Sequence, residues 1–271
     1  MNAFDCQAPI ETETGWTTGA TLTEESAYLR GHFPGNPILP AVAQLALVTQ
    51  VARSAWDRAV NLEMINDLRF RKPLFPGAEL EVRLGPFSEA EDARFSLFLA
   101  DKPVSQGSVR WTTAAPSSLP AFETFTASDP ADPPILLPQE AEARYIHECT
   151  SSDADGLRCL AFVPPANPFR TDTELGCMIP AFLALEMGAQ AAATHEGVMR
   201  AVQGAEAEAV GGYVVRCRQA KFETTLLPAD ALFRVSATCV EAAPPLRTYK
   251  ITVGLDQRVL VEGLVSTFAE A

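Results

Sequence analysis

Two short stretches of the chain carry side chains suited to proton transfer. Between Arg30 and Gln50 it reads RGHFPGNPILPAVAQLALVTQ, placing His32 in a segment of two glycines and three prolines, with an apolar helix candidate behind it. Neutral imidazole has a pKa close enough to 7 to act as a base on a weakly acidic proton. The sixteen residues after Pro34 contain no carboxylate, so this stretch holds a base without an acid. The second stretch is CMIPAFLALEMGAQAA, Cys177 to Ala192. There Glu186 stands among Phe182, Leu183, Leu185 and Met187, apolar surroundings that disfavour the ionised form and keep a carboxyl protonated near neutrality. Gln190 lies one turn further on the same face, where it could orient that carboxyl group.

Both stretches lie on elements that repeat. PILPAVAQLALVTQVA (Pro37 to Ala52) aligns with the second stretch without a gap at an offset of 140, matching Pro40 with Pro180, Leu45 with Leu185 and Gln50 with Gln190. Downstream, LRFRKPLFPGAELEV pairs with AKFETTLLPADALFRV at an offset of 152, so that Phe70 meets Phe222 and Pro76 meets Pro228. The extra residues fall in MRAVQGAEAEAVGG, which reads as a surface loop. Two collinear blocks in one order indicate an internal duplication. Each first block is expected to be a buried helix, opened by a proline in its first turn, and in the second copy stopped at Gly197. Alternating runs follow as strands: AELEVRL, ARFSLFLAD and GSVRWTT, then ALFRVSATCV, RTYKITVGL and VLVEGLVSTF. The expectation is an α+β chain with two copies of a helix wrapped by an antiparallel sheet. Residues 1–115 form the first domain, the Pro-rich 116–140 an extended linker, and 141–271 the second domain.

Composition narrows the function. The net charge of −13 disfavours nucleic acid or an anionic membrane as a partner, since both need a basic face. No apolar run reaches the roughly 18 residues of a membrane span. The first residues, MNAFDCQAPIETETG, lack the basic flank and apolar core of a secretion signal. Six cysteines without CxxC spacing read as thiols of a reducing compartment, neither a disulfide frame nor a zinc site, so a cytoplasmic location is expected.

GHFPGNPILP, the helix ending in glutamine and the following LRFRKPLFPG together resemble the hot-dog-fold β-hydroxyacyl-acyl carrier protein dehydratases. Their motif is G-H-F-P-G-x-P-x-x-P-G, with an acid fourteen residues after the histidine and a glutamine four residues later. The resemblance covers most of the first copy and centres on LEMGAQAAATHEG in the second. In that family one subunit gives the histidine and the other the acid. Here Ala46 occupies the acid column after His32, while the second copy has Glu186 in that column and Asp172 where a histidine belongs. The losses are complementary, so the resemblance implies a double hot dog with one composite site, His32 with Glu186. The related position, Asp172 with Ala46, is then expected to be dead. Double hot-dog dehydratase domains of type I synthases share that arrangement.

The implied reaction is dehydration of a 3-hydroxyacyl thioester to the trans-2-enoyl thioester, without cofactor or metal, in fatty acid or polyene-type polyketide biosynthesis. A backbone N–H at the helix start meets the developing charge on the thioester oxygen. The family uses a glycine there; this chain has Ala41, with Gly35 in the preceding turn. The expected partner is an acyl carrier protein, docking on the densest basic clusters, Arg69, Arg71 and Lys72 with Arg216, Arg218 and Lys221. Alternative readings are a hot-dog thioesterase, an enoyl isomerase using the same two groups, and a non-catalytic acyl-binding or partner subunit. The last would gain if His32 and Glu186 stood more than about 8 Å apart with no pocket between them. Asp172, His147 and His195 are read as surface or structural, with His195 in the last helical turn. A homo-oligomer of double hot dogs is compatible with all of these.

Overall fold

The computed structural model describes residues 3–116, 119, 122–125, 137–140, 142–202, 204 and 212–269. Most of the expected linker therefore lies outside the described residues, as does most of the loop expected around 205–211. The first half contains β1 (Phe4–Cys6), β2 (Ile10–Thr12), β3 (Gly15–Leu22), α1 (Ala41–Trp56), β4 (Asn61–Phe70), β5 (Glu79–Leu84), β6 (Ala93–Leu99) and β7 (Lys102–Thr112). The second contains β8 (Ile146–Ser152), β9 (Gly156–Ala161), β10 (Thr171–Thr173), β11 (Gly176–Pro180), α2 (Ala184–Val202), β12 (Gly212–Phe222), β13 (Leu226–Pro228), β14 (Phe233–Ala243), β15 (Leu246–Leu255) and β16 (Arg258–Ala269).

The duplication is written into the sheet. Thirteen strands form one sheet in the order β1-β3-β5-β6-β7-β4-β12-β16-β15-β14-β9-β8, with β2 added beside β3. Read outward from its middle, each half repeats the same succession. The halves join where β4 and β12 pair antiparallel, with Leu68 opposite Cys217 and Ile65 opposite Ala220. The alternation that identifies these strands sends Leu80, Val82 and Leu84 of β5 into the interior and leaves Glu79 and Arg83 exposed. Both helices meet that apolar face, and one contiguous core runs through both halves.

Helix α1 has 16 residues and α2 has 19. Pro40 is the N-cap of α1 rather than a first-turn residue, with α1 starting at Ala41. Pro180 ends β11 and leads through a 3-10 turn, Ala181–Leu183, into α2. Gly197 does not stop α2, which runs on to Val202. One interior glycine costs only about 1 kcal/mol, and Met199 and Arg200 behind it are good helix formers. The turn after the helix uses Gly204, at φ +80°, whose N–H bonds the Ala201 carbonyl at 3.1 Å. His195 is thus mid-helix and fully buried, bonded to the Tyr249 hydroxyl at 3.1 Å and to the Asp153 carbonyl at 3.0 Å. It is structural, as its chemistry allows, but it is not on the surface.

The two copies differ most ahead of their helices. The first has the proline-rich loop, tightened by a 3-10 turn at Ala27–Leu29. The second has a hairpin, β10 with β11, extended by β13 into a separate three-stranded sheet.

Candidate active site

The loop before α1 fixes His32 by its backbone. Gly31 is at φ +69° and its carbonyl accepts the Glu140 N–H at 2.9 Å, while a Cβ there would press on Ala143 at 3.2–3.3 Å. Gly35, at φ +80° with open space around it, serves the turn conformation alone. His32 is 7% exposed, and its Nδ1 lies 2.7 Å from the Ile38 carbonyl. A carbonyl can only accept, so Nδ1 carries the hydrogen and Nε2 presents its lone pair. That Nε2 stands 4.0 Å from Oε1 of Glu186, on the first turn of α2.

The structure therefore brings together the two groups that the sequence placed in different halves. Burial drives the His32 pKa down to about 4, opposed by its bond to Ile38. Burial likewise pushes the Glu186 carboxyl up to about 7, opposed by the neighbouring Gln190 amide. Between those values the pair is a neutral base facing a protonated acid, not a salt bridge. Gln190 also holds the wall of the site: its Oε1 accepts the Tyr145 N–H at 2.9 Å and its Nε2 donates to the Ala143 carbonyl at 2.7 Å.

A cavity of about 350 Å³ opens at this pair. It follows one face of α2 from Glu186 through Ala189, Gln190, Ala193 and Gly197 to Arg200, a span of roughly 20 Å at 1.5 Å per residue. Ala41 lines it, and among the described residues no acceptor stands against the Ala41 N–H. Pro40 cannot cap it with a side chain, so this helix start leaves a free donor on a residue that lines the cavity.

The related position in the second copy is built differently. The matching N–H, that of Ala181, is taken by the Thr225 carbonyl at 3.0 Å. Asp172 is exposed on the β10–β11 hairpin, and Ala46 packs half-buried against the core. Phe182 stands where α1 has Val42, and it packs with Phe169, whose ring is 4.6 Å from Tyr28.

Of the basic candidates, Arg71 and Lys72 are exposed and line the cavity. Arg69 and Arg216 face each other across the β4–β12 junction and both bind Asp67, at 3.0 and 2.6 Å. Lys221 is exposed further along β12, and Arg218 is partly buried. Sequence reasoning missed Gln44 and Gln139, which also line the cavity. Polar residues at apolar helix positions were the available signal, but only for Gln44.

Among the described residues no helix is long and apolar enough to cross a membrane, and all six cysteines are free thiols.

Residues 9–108 match the ApeI-like family model, described as ApeI dehydratase, and residues 132–271 match the ApeP-like model, described as ApeP dehydratase. Curated relatives include the 3-hydroxyacyl-(acyl-carrier-protein) dehydratase FabZ of Hydrogenobaculum sp., 31% identical over 70 residues, covering 22% of this chain and 47% of the relative. That of Nitratidesulfovibrio vulgaris is 35% identical over 70 residues, covering 22% and 46%. The chain spans about half the length of the curated relatives it matches. Over nearly its whole length the fold is that of the trans-AT PKS dehydratase domain from Brevibacillus brevis, with TM-score 0.65, 16% identity and 98% and 97% coverage. It is equally that of the PpsC dehydratase domain from Mycobacterium tuberculosis, with TM-score 0.63, 15% identity and 97% coverage of both chains. The chain is a double hot dog that belongs to the ApeP-like dehydratase family, with an ApeI-like half fused ahead of the ApeP-like one.

Proposed function

We propose that the protein dehydrates 3-hydroxyacyl thioesters, carried on an acyl carrier protein, to trans-2-enoyl thioesters through one composite site. The observation that carries this reading is the 4.0 Å approach of His32 Nε2 to Glu186 Oε1, across the two halves and inside a cavity. His32 Nε2 takes a proton from C2 while the Ala41 N–H receives the charge developing on the thioester oxygen. The C3–O bond then breaks as Glu186 protonates the leaving hydroxyl, releasing water. The imidazolium and carboxylate left behind are too far apart for a direct hydrogen bond, and one water between them returns the proton to Glu186. The distance falls well inside the ceiling of about 8 Å beyond which a non-catalytic reading would gain.

In this reading residues 1–115 supply the base and residues 141–271 the acid, with 116–140 connecting them. Arg71 and Lys72, beside the cavity, are the foremost docking candidates for the acidic carrier. The setting is fatty acid or polyketide-type biosynthesis in the cytoplasm. His32→Ala and Glu186→Ala should each abolish formation of the enoyl thioester, while Asp172→Ala should leave it intact. Full activity in either of the first two would refute the composite site, and free acid as the product would turn the reading to thioester hydrolysis.

A further inference from the structure

Three glutamines line the cavity, and they differ in what they do. Gln190 has both ends of its amide engaged with backbone. Gln44 and Gln139 are only 4% and 7% exposed, yet neither Oε1 has a hydrogen-bond partner among the described residues. A buried amide oxygen left unpaired is destabilising, and a leucine of similar size would remove that cost. Among the described residues neither side-chain amide makes a hydrogen bond that would call for glutamine. The second copy has Ala184 where α1 has Gln44. The Gln139 chain is held through its own carbonyl, which accepts two bonds from Arg144 at 2.9 and 3.2 Å, independently of its side chain.

Their positions flank the reacting centre. Gln44 lies one turn along α1 from Ala41, on the same face. Gln139 precedes Glu140, whose N–H is bonded to Gly31 beside His32. We infer that Gln44 and Gln139 are specificity residues that accept hydrogen bonds from N–H or O–H donors of the acyl thioester. This rests on the thioester reading above. The donors have two sources, the amide groups of a pantetheine arm or a hydroxyl on the acyl part.

The test uses the full chain, Gln44→Leu and Gln139→Leu, with Gln44→Met and Gln139→Met as nearer isosteres should leucine unfold the chain. Calorimetry follows two unreactive thioethers with the same 3-hydroxybutyl chain, one ending in pantetheine and one in ethyl. Loss of an accepted neutral hydrogen bond should weaken binding about two- to tenfold, while the melting temperature rises because an unpaired polar atom is gone. Weakening confined to the pantetheine probe assigns the donors to its amides; equal weakening on both assigns them to the hydroxyl. Unchanged affinity for both probes in both variants, or a lowered melting temperature in the leucine and methionine variants alike, would overturn the inference. Because binding is read without turnover, a wild-type chain that binds selectively but forms no enoyl product would sink the dehydratase reading alone.

Discussion

His32 and Glu186 meet at 4.0 Å, base from the loop before α1 and acid from the first turn of α2, and burial keeps both uncharged over a common range of pH. The proposed reaction needs that combination, an unprotonated imidazole with a protonated carboxyl. The activity kcat/KM should therefore rise as pH increases through about 4 and fall as it passes about 7. The profile of enoyl thioester formation on a soluble substrate checks this. An acid limb near 6.5, the ordinary histidine value, would mean that the His32 ring is solvated in the working enzyme.

The same burial makes Glu186 a liability to folding. Its folded pKa, about 7, is above the ordinary value of 4.5, so the native chain binds more protons than the unfolded chain between those values. Stability contributed by the protonated form is present below 4.5 and is lost as pH rises through 7. Glu186→Gln keeps the shape and removes the titration. Its advantage over the parent should grow from pH 4.5 to 7 and then level off at about 3 kcal/mol, since each tenfold gain in proton affinity on folding corresponds to about 1.4 kcal/mol. Denaturant melts at several pH values measure it; a constant difference across the range would contradict the assignment.

How much of this was legible in the sequence depends on the kind of signal. The β5, β6, β14, β15 and β16 strands alternate, and both helices follow proline in matching blocks, so the layout of each copy could be read from pattern alone. Glu186 was legible because the duplication put it in the column where Ala46 stands. The β10–β11 hairpin was not, because its three-residue first strand is exposed throughout and has no alternation to show. Nor was the burial of His195, which depends on Tyr249 and Asp153 arriving from distant parts of the chain. The orphaned amide of Gln139 is likewise a property of the assembled cavity, invisible in a proline-rich segment.

Gly188 tests how α2 is held in place. A Cβ there would fall 2.5 Å from Cδ1 and 2.9 Å from Cβ and Cγ2 of Ile251 on β15. Helix and sheet can touch only because the side chain is missing, two residues from Glu186. Gly188→Ala should cost about 1–3 kcal/mol through overpacking, despite the better helix propensity of alanine. Ile251→Val, which deletes the nearest atom, should restore part of the loss. A stabilised Gly188→Ala would show that α2 can stand off from the sheet.

Restoring the two absent residues should not create a second site. Asp172→His with Ala46→Glu rebuilds the family pattern in both columns, but the surroundings do not follow. A histidine at 172 would ride on an exposed hairpin, paired in register with Cys177, instead of in a glycine and proline loop. The Ala181 N–H is already bonded to Thr225, and Phe182 with Phe169 occupies the space ahead of α2. A glutamate at 46 would also add a carboxylate to a half-buried face of α1, at a cost unless it finds a partner. The double variant should show no more turnover per chain than the parent, and added to His32→Ala it should stay inactive. Enoyl thioester formed by the triple variant would mean that residue identity alone, without the loop and the free N–H, suffices for the chemistry.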